Sequence, residues 1–316
     1  MGNGTTVLDT VIIGAGPAGM TAAIYAKRKG LSIAIIADSV GGQIGRTGNI
    51  ENYPGFDLIS GADLVRRMRE HLHRLGVEPA LERVSSVERV DSGYRIVTIG
   101  GRTYEARSVI IASGAHWREI GVPGEKEFLG KGVSYCTTCD APLFIGMDVV
   151  VVGGGNSAAE AVIDLTKIAS HVYMIVRSRL RCDQVLTARI RQNKMITMLE
   201  GHRVIKITGK DFVESITVAS SDGTEKTLPV EGVFVEIGQD PNSAFIKGLV
   251  KTNDHGEIEI DEYCHTSAEG IFACGDVTDV PQKQAIVAAG EGAKAAMSVF
   301  TYVTGLKEKD TQSCAL

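Results

Sequence analysis

Apolar positions recur along this chain in two rhythms. Short unbroken runs predict strands: Val11-Ile12-Ile13, Ser32 to Ile36, Val149 to Val152 and Val172 to Val176. The first and third are each followed, after a few glycines, by a stretch with helical character, MTAAIYAKRKG and SAAEAVIDLTKIA. Farther on, Leu64, Val65, Met68, Leu72 and Leu75 recur at helical spacing, which leaves Arg66, Arg67 and Arg69 for the solvated face of that helix. No apolar run approaches the roughly 18 residues that span a bilayer. The alternation of strand, helix and strand predicts an α/β fold.

The glycines between strand and helix sharpen that picture. Gly14-Ala15-Gly16-Pro17-Ala18-Gly19 is G-x-G-x-x-G set directly between a strand and a helix. Gly14 permits the tight turn, Gly16 lets the backbone approach a pyrophosphate, and Gly19 allows close helix-to-strand packing. The helix start supplies N–H groups and a positive dipole end for the phosphates. Asp38 follows the next strand, where an acid takes ribose hydroxyls. Gly153-Gly154-Gly155-Asn156-Ser157-Ala158 repeats the design as G-x-G-x-x-A. Its counterpart of Asp38 is Arg177, 24 positions after Gly153 as Asp38 is 24 after Gly14. Arg177, with Arg179 and Arg181 behind it, suits a ribose that carries a 2′-phosphate. Two such units predict two Rossmann-like dinucleotide-binding domains, and a flavin paired with a nicotinamide would serve hydride transfer.

Composition narrows the rest. With 316 residues, two domains are expected. The 44% hydrophobic and 22% charged residues are ordinary for a globular chain with a core. A formal net charge of -5 gives no overall positive field for nucleic acid. The opening MGNGTTVLD lacks the charged-then-apolar order of a secretory leader, so a cytoplasmic setting is expected. Of the six cysteines only Cys136 and Cys139 lie close together, in Tyr135-Cys136-Thr137-Thr138-Cys139-Asp140. A structural zinc site would need a second close ligand pair, so a lone C-x-x-C reads as a redox pair and no metal is expected. The spacing lets one turn bring both sulfurs into bonding range, and Asp140 stands next to the pair to handle the proton. Cys274 reads as core; Cys182 and Cys264 sit beside polar loop residues, and Cys314 lies in a charged tail.

Taken in order, these motifs resemble the low-molecular-weight thioredoxin reductases from about Thr10 to about Val303. The marks are GAGPAG from Gly14, GGQIGRTGNIENYPG from Gly41, IIASGA from Ile110, YCTTCDAPLF from Tyr135, GGGNSA from Gly153 and GIFACGDVTDVPQKQAIVAAGEG from Gly270. CDQVL and the closing QKQAIVAAGEGAKAA are also similar to the flavoprotein subunit of alkyl hydroperoxide reductase. The resemblance implies FAD at Gly14, Gly16, Pro17, Ala18, Asp38, Gly42, Gln43, Asn52, Val84, Gly114, Asp276, Gln284 and Ala285. It implies a nicotinamide dinucleotide at Gly153, Gly155, Asn156, Ser157 and Ala158. By the same likeness Cys139 faces the flavin, Cys136 attacks the disulfide of thioredoxin or a thioredoxin-like protein, and Asp140 is the acid–base group.

It also implies that the nicotinamide domain, residues 118–248, is inserted into an FAD domain made of 1–117 and 249–316. The inserted domain then turns on a two-strand hinge, in a chain that works as a homodimer. NADPH-using members carry H-R-R-x-x-x-R after the second unit's second strand. Here the stretch is Val176-Arg177-Ser178-Arg179-Leu180-Arg181, with Val176 for the histidine, Ser178 for the second arginine and Arg181 one residue early. Asn156 stands where many members have Asp. Arg177 and Arg181 favour NADPH as the donor, with NADH, ferredoxin or a deazaflavin as alternatives. The alternative activity is an FAD-dependent dithiol oxidase, against which the intact GGGNSA loop argues.

Overall fold

The computed structural model describes residues 7–313. The chain forms two compact units: residues up to His116 together with those from Asp240 on, and Trp117–Gln239. The crossings, Ala115–Trp117 and Gln239–Pro241, pair as a two-stranded ribbon. The return crossing therefore falls between Gln239 and Asp240, not between Gly248 and Leu249. Packing decides this: Ile246 and Val250 belong to the first unit's core with Val84 and Val87. Asn242 is also tied to that unit, donating to Ser113 O at 2.9 Å through its side chain and to Gly114 O at 2.9 Å through its backbone.

The first unit is built on a seven-stranded sheet. Its order is Ala80–Leu81, Ile33–Val40, Leu8–Ala15, Thr103–Ile111, Gly93–Thr98 and Val84–Val90, with Ile271–Ala273 also paired to Thr103–Ile111. Leu8–Ala15 lies parallel to both neighbours and is covered on both faces, which is why its apolar run is continuous rather than alternating. Ile12 packs with Ala18, Ala22 and the C-terminal helix, whereas Val11 and Ile13 pack with Val84, Ile96 and Ile271 on the other face. Helix α1 (Pro17–Arg28) carries Pro17 at its first position, where no N–H is needed. Helix α2 (Gly61–Arg74) starts at Ser60, whose side chain accepts from Asp63 N. Leu64 and Leu72 are buried on α2, while Arg66 pairs in the open with Asp63 and Glu70.

The second unit has a five-stranded parallel sheet ordered Val133–Ser134, Gly232–Val235, Asp148–Val152, His171–Val176 and Ile196–Glu200. A three-stranded antiparallel sheet, His202–Gly209, Val213–Ser220 and Glu225–Pro229, belongs to the same unit. Its short helix α3 is Thr137–Asp140, followed by α4 (Asn156–Leu165) and α5 (Gln184–Gln192). Helix α6 (Ala285–Ser313) closes the chain's described part in the first unit. Among the described residues, no helix is long and apolar enough to cross a membrane.

Candidate active site and dinucleotide cradles

Two glycine loops sit at the C-terminal ends of central parallel strands, the end at which α/β sheets bind ligands. In the first unit Gly14 has φ 112°, and a Cβ there would lie 2.1 Å from Ala112 O. Gly19 is equally obligatory, because its Cβ would meet Gly14 O at 1.9 Å. Gly16 differs: a Cβ on it would find only the Cα of Gly42, at 4.0 Å. Gly16 is the N-cap of α1 and no side chain caps that helix. Open backbone before an uncapped helix start is the shape and polarity that a pyrophosphate needs. On this observation the residues suit a dinucleotide such as FAD.

Other positions of the same unit that are expected to meet FAD gather into hydrogen-bonded pairs. Gln43 Nε2 donates to Ala115 O at 2.8 Å and to Asp276 Oδ2 at 3.2 Å. Burial raises the Asp276 carboxyl above its ordinary value, with Lys283 opposing. Asn52 Nδ2 donates to Gln284 Oε1 at 3.2 Å, directly before Ala285 opens α6. Gly275 lies against Ala18 of α1, 2.9 Å from where its own Cβ would be, so the Asp276 turn is drawn onto the first glycine loop. Gly114, with φ 67°, directly precedes the strand Ala115–Trp117, and Val84 is buried at a strand start. Asp38 lies inside a strand rather than after it, because Ile33–Val40 runs on past it to pair Val40 with Ala15 of the first strand. Its carboxylate stays in solvent, 3.8 Å from Arg83.

The second loop follows the same logic. Gly153, with φ 157°, has Glu236 O 2.2 Å from its would-be Cβ and packs on Ala158. Gly155 has open space, and it is the uncapped N-cap of α4. Asn156 is engaged reciprocally with Asp183: its Nδ2 donates to Asp183 Oδ2 at 3.2 Å and its Oδ1 accepts from Asp183 N at 2.9 Å. Ser157 is exposed beside it. Val176 is buried at the end of its strand, so Arg177 is the first residue beyond, exposed as Arg181 is. Arg181 N donates to Gly154 O at 2.7 Å, which folds the arginine loop over the glycine loop. Glu200 enters this loop as well, its Oε1 accepting from Leu180 N at 3.1 Å.

Cys136 and Cys139 form a disulfide with Cα atoms 5.3 Å apart. Cys136 caps α3, and its Sγ accepts from Cys139 N at 3.2 Å. Ser134 Oγ accepts from Cys136 N at 3.0 Å, fixing the approach to the turn. Asp140 ends α3, and burial raises its carboxyl while a bond with Ser134 opposes.

Three acids that no motif announced surround these parts. Glu125, 1% exposed, accepts from Ile120 N at 2.8 Å, from Gly121 N at 2.7 Å and from the Tyr135 hydroxyl at 2.8 Å. Glu236 binds Thr137, and Glu200 binds Leu180. Single acids at no fixed spacing leave no sequence signal. Cys264, expected beside a polar loop, is fully buried with φ 67°, and burial pushes its thiol up to about 12. The cause is its backbone, which accepts from Ala273 N at 3.1 Å and draws the residue inward. Cys274 is buried in the same core, Cys182 is half-buried, and Cys314 lies outside the described residues.

Known proteins agree with this assembly. Residues 8–292 match the pyridine nucleotide-disulphide oxidoreductase family. The thioredoxin reductase of Bacillus subtilis is 43% identical over 309 residues, 96% of each chain. An alkyl hydroperoxide reductase subunit of Staphylococcus aureus is 39% identical over 298 residues; that match takes in 93% of this chain but only 59% of that relative's length. The crystal structure of thioredoxin reductase from Streptococcus pyogenes superposes with a TM-score of 0.91 at 40% identity, covering 95% of this chain and 99% of that one. The chain belongs to the pyridine nucleotide-disulphide oxidoreductase family, and along nearly its whole length it is similar to thioredoxin reductases.

Proposed function

We propose that this chain is an FAD-dependent reductase that passes electrons from NADPH through Cys136 and Cys139 to the disulfide of thioredoxin or a thioredoxin-like protein. The observation that carries the reading is the Cys136–Cys139 disulfide beside the Asp140 carboxyl, which burial raises above its ordinary value. When bound, FAD supplies two-electron chemistry between a nicotinamide and a disulfide.

The first unit's residues bind that group. Gly14, Gly16, Pro17 and Ala18 present the helix start to the pyrophosphate, and Asp38 takes the ribose hydroxyls. Gly42 and Gln43 line the turn that faces Gly16, Asn52 and Gln284 brace each other, and Asp276 is a half-buried acceptor for a polyol chain. Val84, Gly114 and Ala285 contribute backbone. Gly153, Gly155, Asn156, Ser157 and Ala158 form the nicotinamide dinucleotide cradle, with Arg177 and Arg181 for a 2′-phosphate.

With the pair reduced, the Cys136 thiolate attacks one sulfur of the substrate disulfide. A mixed disulfide forms, and the departing sulfur takes a proton from Asp140. The Asp140 carboxylate takes the proton of the Cys139 thiol, and the Cys139 thiolate then attacks Cys136 Sγ. This closes the Cys136–Cys139 bond again and releases the second substrate sulfur, so one disulfide is exchanged for another with no net loss of electrons. The Cys139 N–H bond to Cys136 Sγ is already in place to stabilise the attacking thiolate. A chain whose dithiol must stay reducible belongs in the cytoplasm, and we read it as a homodimer like others of its type.

Glu200 favours a second reading of the donor. A carboxylate bonded inside the arginine loop opposes a 2′-phosphate and suits the free ribose of NADH. Anaerobic bleaching of the flavin with NADPH, NADH and reduced ferredoxin in parallel tests the donor. Faster bleaching by NADPH supports the first reading, and bleaching by ferredoxin alone refutes both nucleotides.

A further inference from the structure

Glu236 follows the strand Gly232–Val235 and touches both working parts of the second unit. Its N–H donates to Val152 O at 2.8 Å, and its carbonyl occupies the space beside Gly153. Its Oε1 accepts from Thr137 Oγ1 at 2.8 Å and from Thr137 N at 3.4 Å. Thr137 is the buried first residue of α3 and the neighbour of Cys136. One residue thus joins the turn of the glycine loop to the first turn of the redox helix.

We propose that Glu236 is a positioning residue of the dithiol centre, which anchors α3 through Thr137 and whose charge sets how readily the Cys136 thiol ionises. Its position is unusual for an acid. Burial acts on it to favour the neutral form, and only the two Thr137 bonds oppose; among the described residues no cation is set against it. The titratable groups at and after the start of α3, beside Thr137 in the chain, are Cys136, Cys139 and Asp140. On the neighbouring strands, Asp148 and Glu231 lie at the opposite end, and Tyr135 beyond Ser134 is occupied by Glu125. On α4, Glu160 and Asp164 are exposed. The Glu236 carboxylate is bonded to the residue next to Cys136, so a charge on it would oppose a thiolate formed there. While Glu236 is charged, Cys136 holds its proton to higher pH; when Glu236 is neutral, the thiolate forms more easily.

This inference deepens the proposed disulfide reduction, yet its test needs neither electron donor nor protein substrate, so the two can fail separately. Cys139→Ser leaves Cys136 as a free thiol. Its alkylation by iodoacetamide is followed across pH on the Cys136 peptide by mass spectrometry, which sets the other cysteines aside. Glu236→Gln keeps the acceptor for Thr137 and removes the charge. It should move the midpoint down by about one pH unit and, below that midpoint, speed alkylation up to about tenfold. Glu236→Asp keeps the charge and should stay close to the parent profile. An unmoved midpoint in Glu236→Gln, or Glu236→Asp behaving as Glu236→Gln does, overturns the proposal and leaves Glu236 a structural tie alone.

Discussion

Trp117 and Tyr135 stack with ring centroids 6.0 Å apart and planes 15° from parallel, so the first residue of the second unit lies flat on the residue that precedes Cys136. The Tyr135 hydroxyl continues the chain of contacts to Glu125, whose carboxylate also satisfies the backbone N–H groups of the 120–122 loop. Burial and the Glu125 bond both hold the Tyr135 phenol protonated well above its ordinary value.

Tyr135→Phe removes one bond of that carboxylate and should cost about 1 kcal/mol. Glu125→Ala takes the acceptor from the Ile120, Gly121 and Val122 N–H groups and from the Tyr135 hydroxyl, and should cost about 2 kcal/mol or more. Urea denaturation of both variants checks the order. Equal stability would mean that Glu125 is satisfied by solvent.

Asp140→Asn keeps the side chain's shape and removes its proton. Transfer to a protein disulfide should slow by roughly 10²-fold, while flavin reduction by the donor is untouched. The sign with pH follows from the raised carboxyl: Asp140 carries its proton below the raised value and loses it above, so the parent's rate falls as pH rises through that value. In the Asn variant this limb should vanish. Stopped-flow measurement of each half-reaction across pH separates the cases, and equal slowing of both would make Asp140 structural.

The glycines divide into those that the fold needs and those that a cofactor needs. Gly14→Ala drives a Cβ into Ala112 O from a positive φ, and Gly153→Ala does the same against Glu236 O; both should give poorly folded protein. Gly16→Ala and Gly155→Ala meet no such obstacle. They should fold normally, with Gly16→Ala losing FAD absorbance and Gly155→Ala weakening nucleotide binding about tenfold or more. Full FAD retention in folded Gly16→Ala would remove the first loop from the cofactor site.

Arg177→Ala should lower kcat/KM for NADPH about tenfold and leave NADH unchanged, as expected for one partly solvated cation facing a phosphate. Glu200→Gln should act in the opposite sense. The same loss with both nucleotides would place Arg177 outside ribose selection.

Much of this was legible from residues alone. Val11-Ile12-Ile13 and Val149 to Val152 announce buried parallel strands because both faces are covered, and Gly14, Gly19 and Gly153 after them stand where no Cβ is tolerated. The Cys136–Cys139 spacing needed only one turn to be realised. What stayed hidden depends on contacts distant in sequence. Ile246 is 162 residues from Val84, so the return crossing at Asp240 could not be read from the Gly248 turn. Glu236 is 99 residues from Thr137, and Glu200 is 20 from Leu180; neither pairing has a periodic or spacing signature. Cys264 looked like a loop residue because its neighbours are polar, yet pairing with Ala273 carries it inside.

The central claim is that Cys136 is the sulfur that meets the protein disulfide. Reduced Cys139→Ser and Cys136→Ser variants are each mixed with an oxidised thioredoxin and quenched with acid. Mass spectrometry of the products then identifies any cross-linked cysteines. Cys139→Ser should give a mixed disulfide through Cys136 and Cys136→Ser none; a mixed disulfide through Cys139, or none in either variant, would show that Cys136 is not that sulfur.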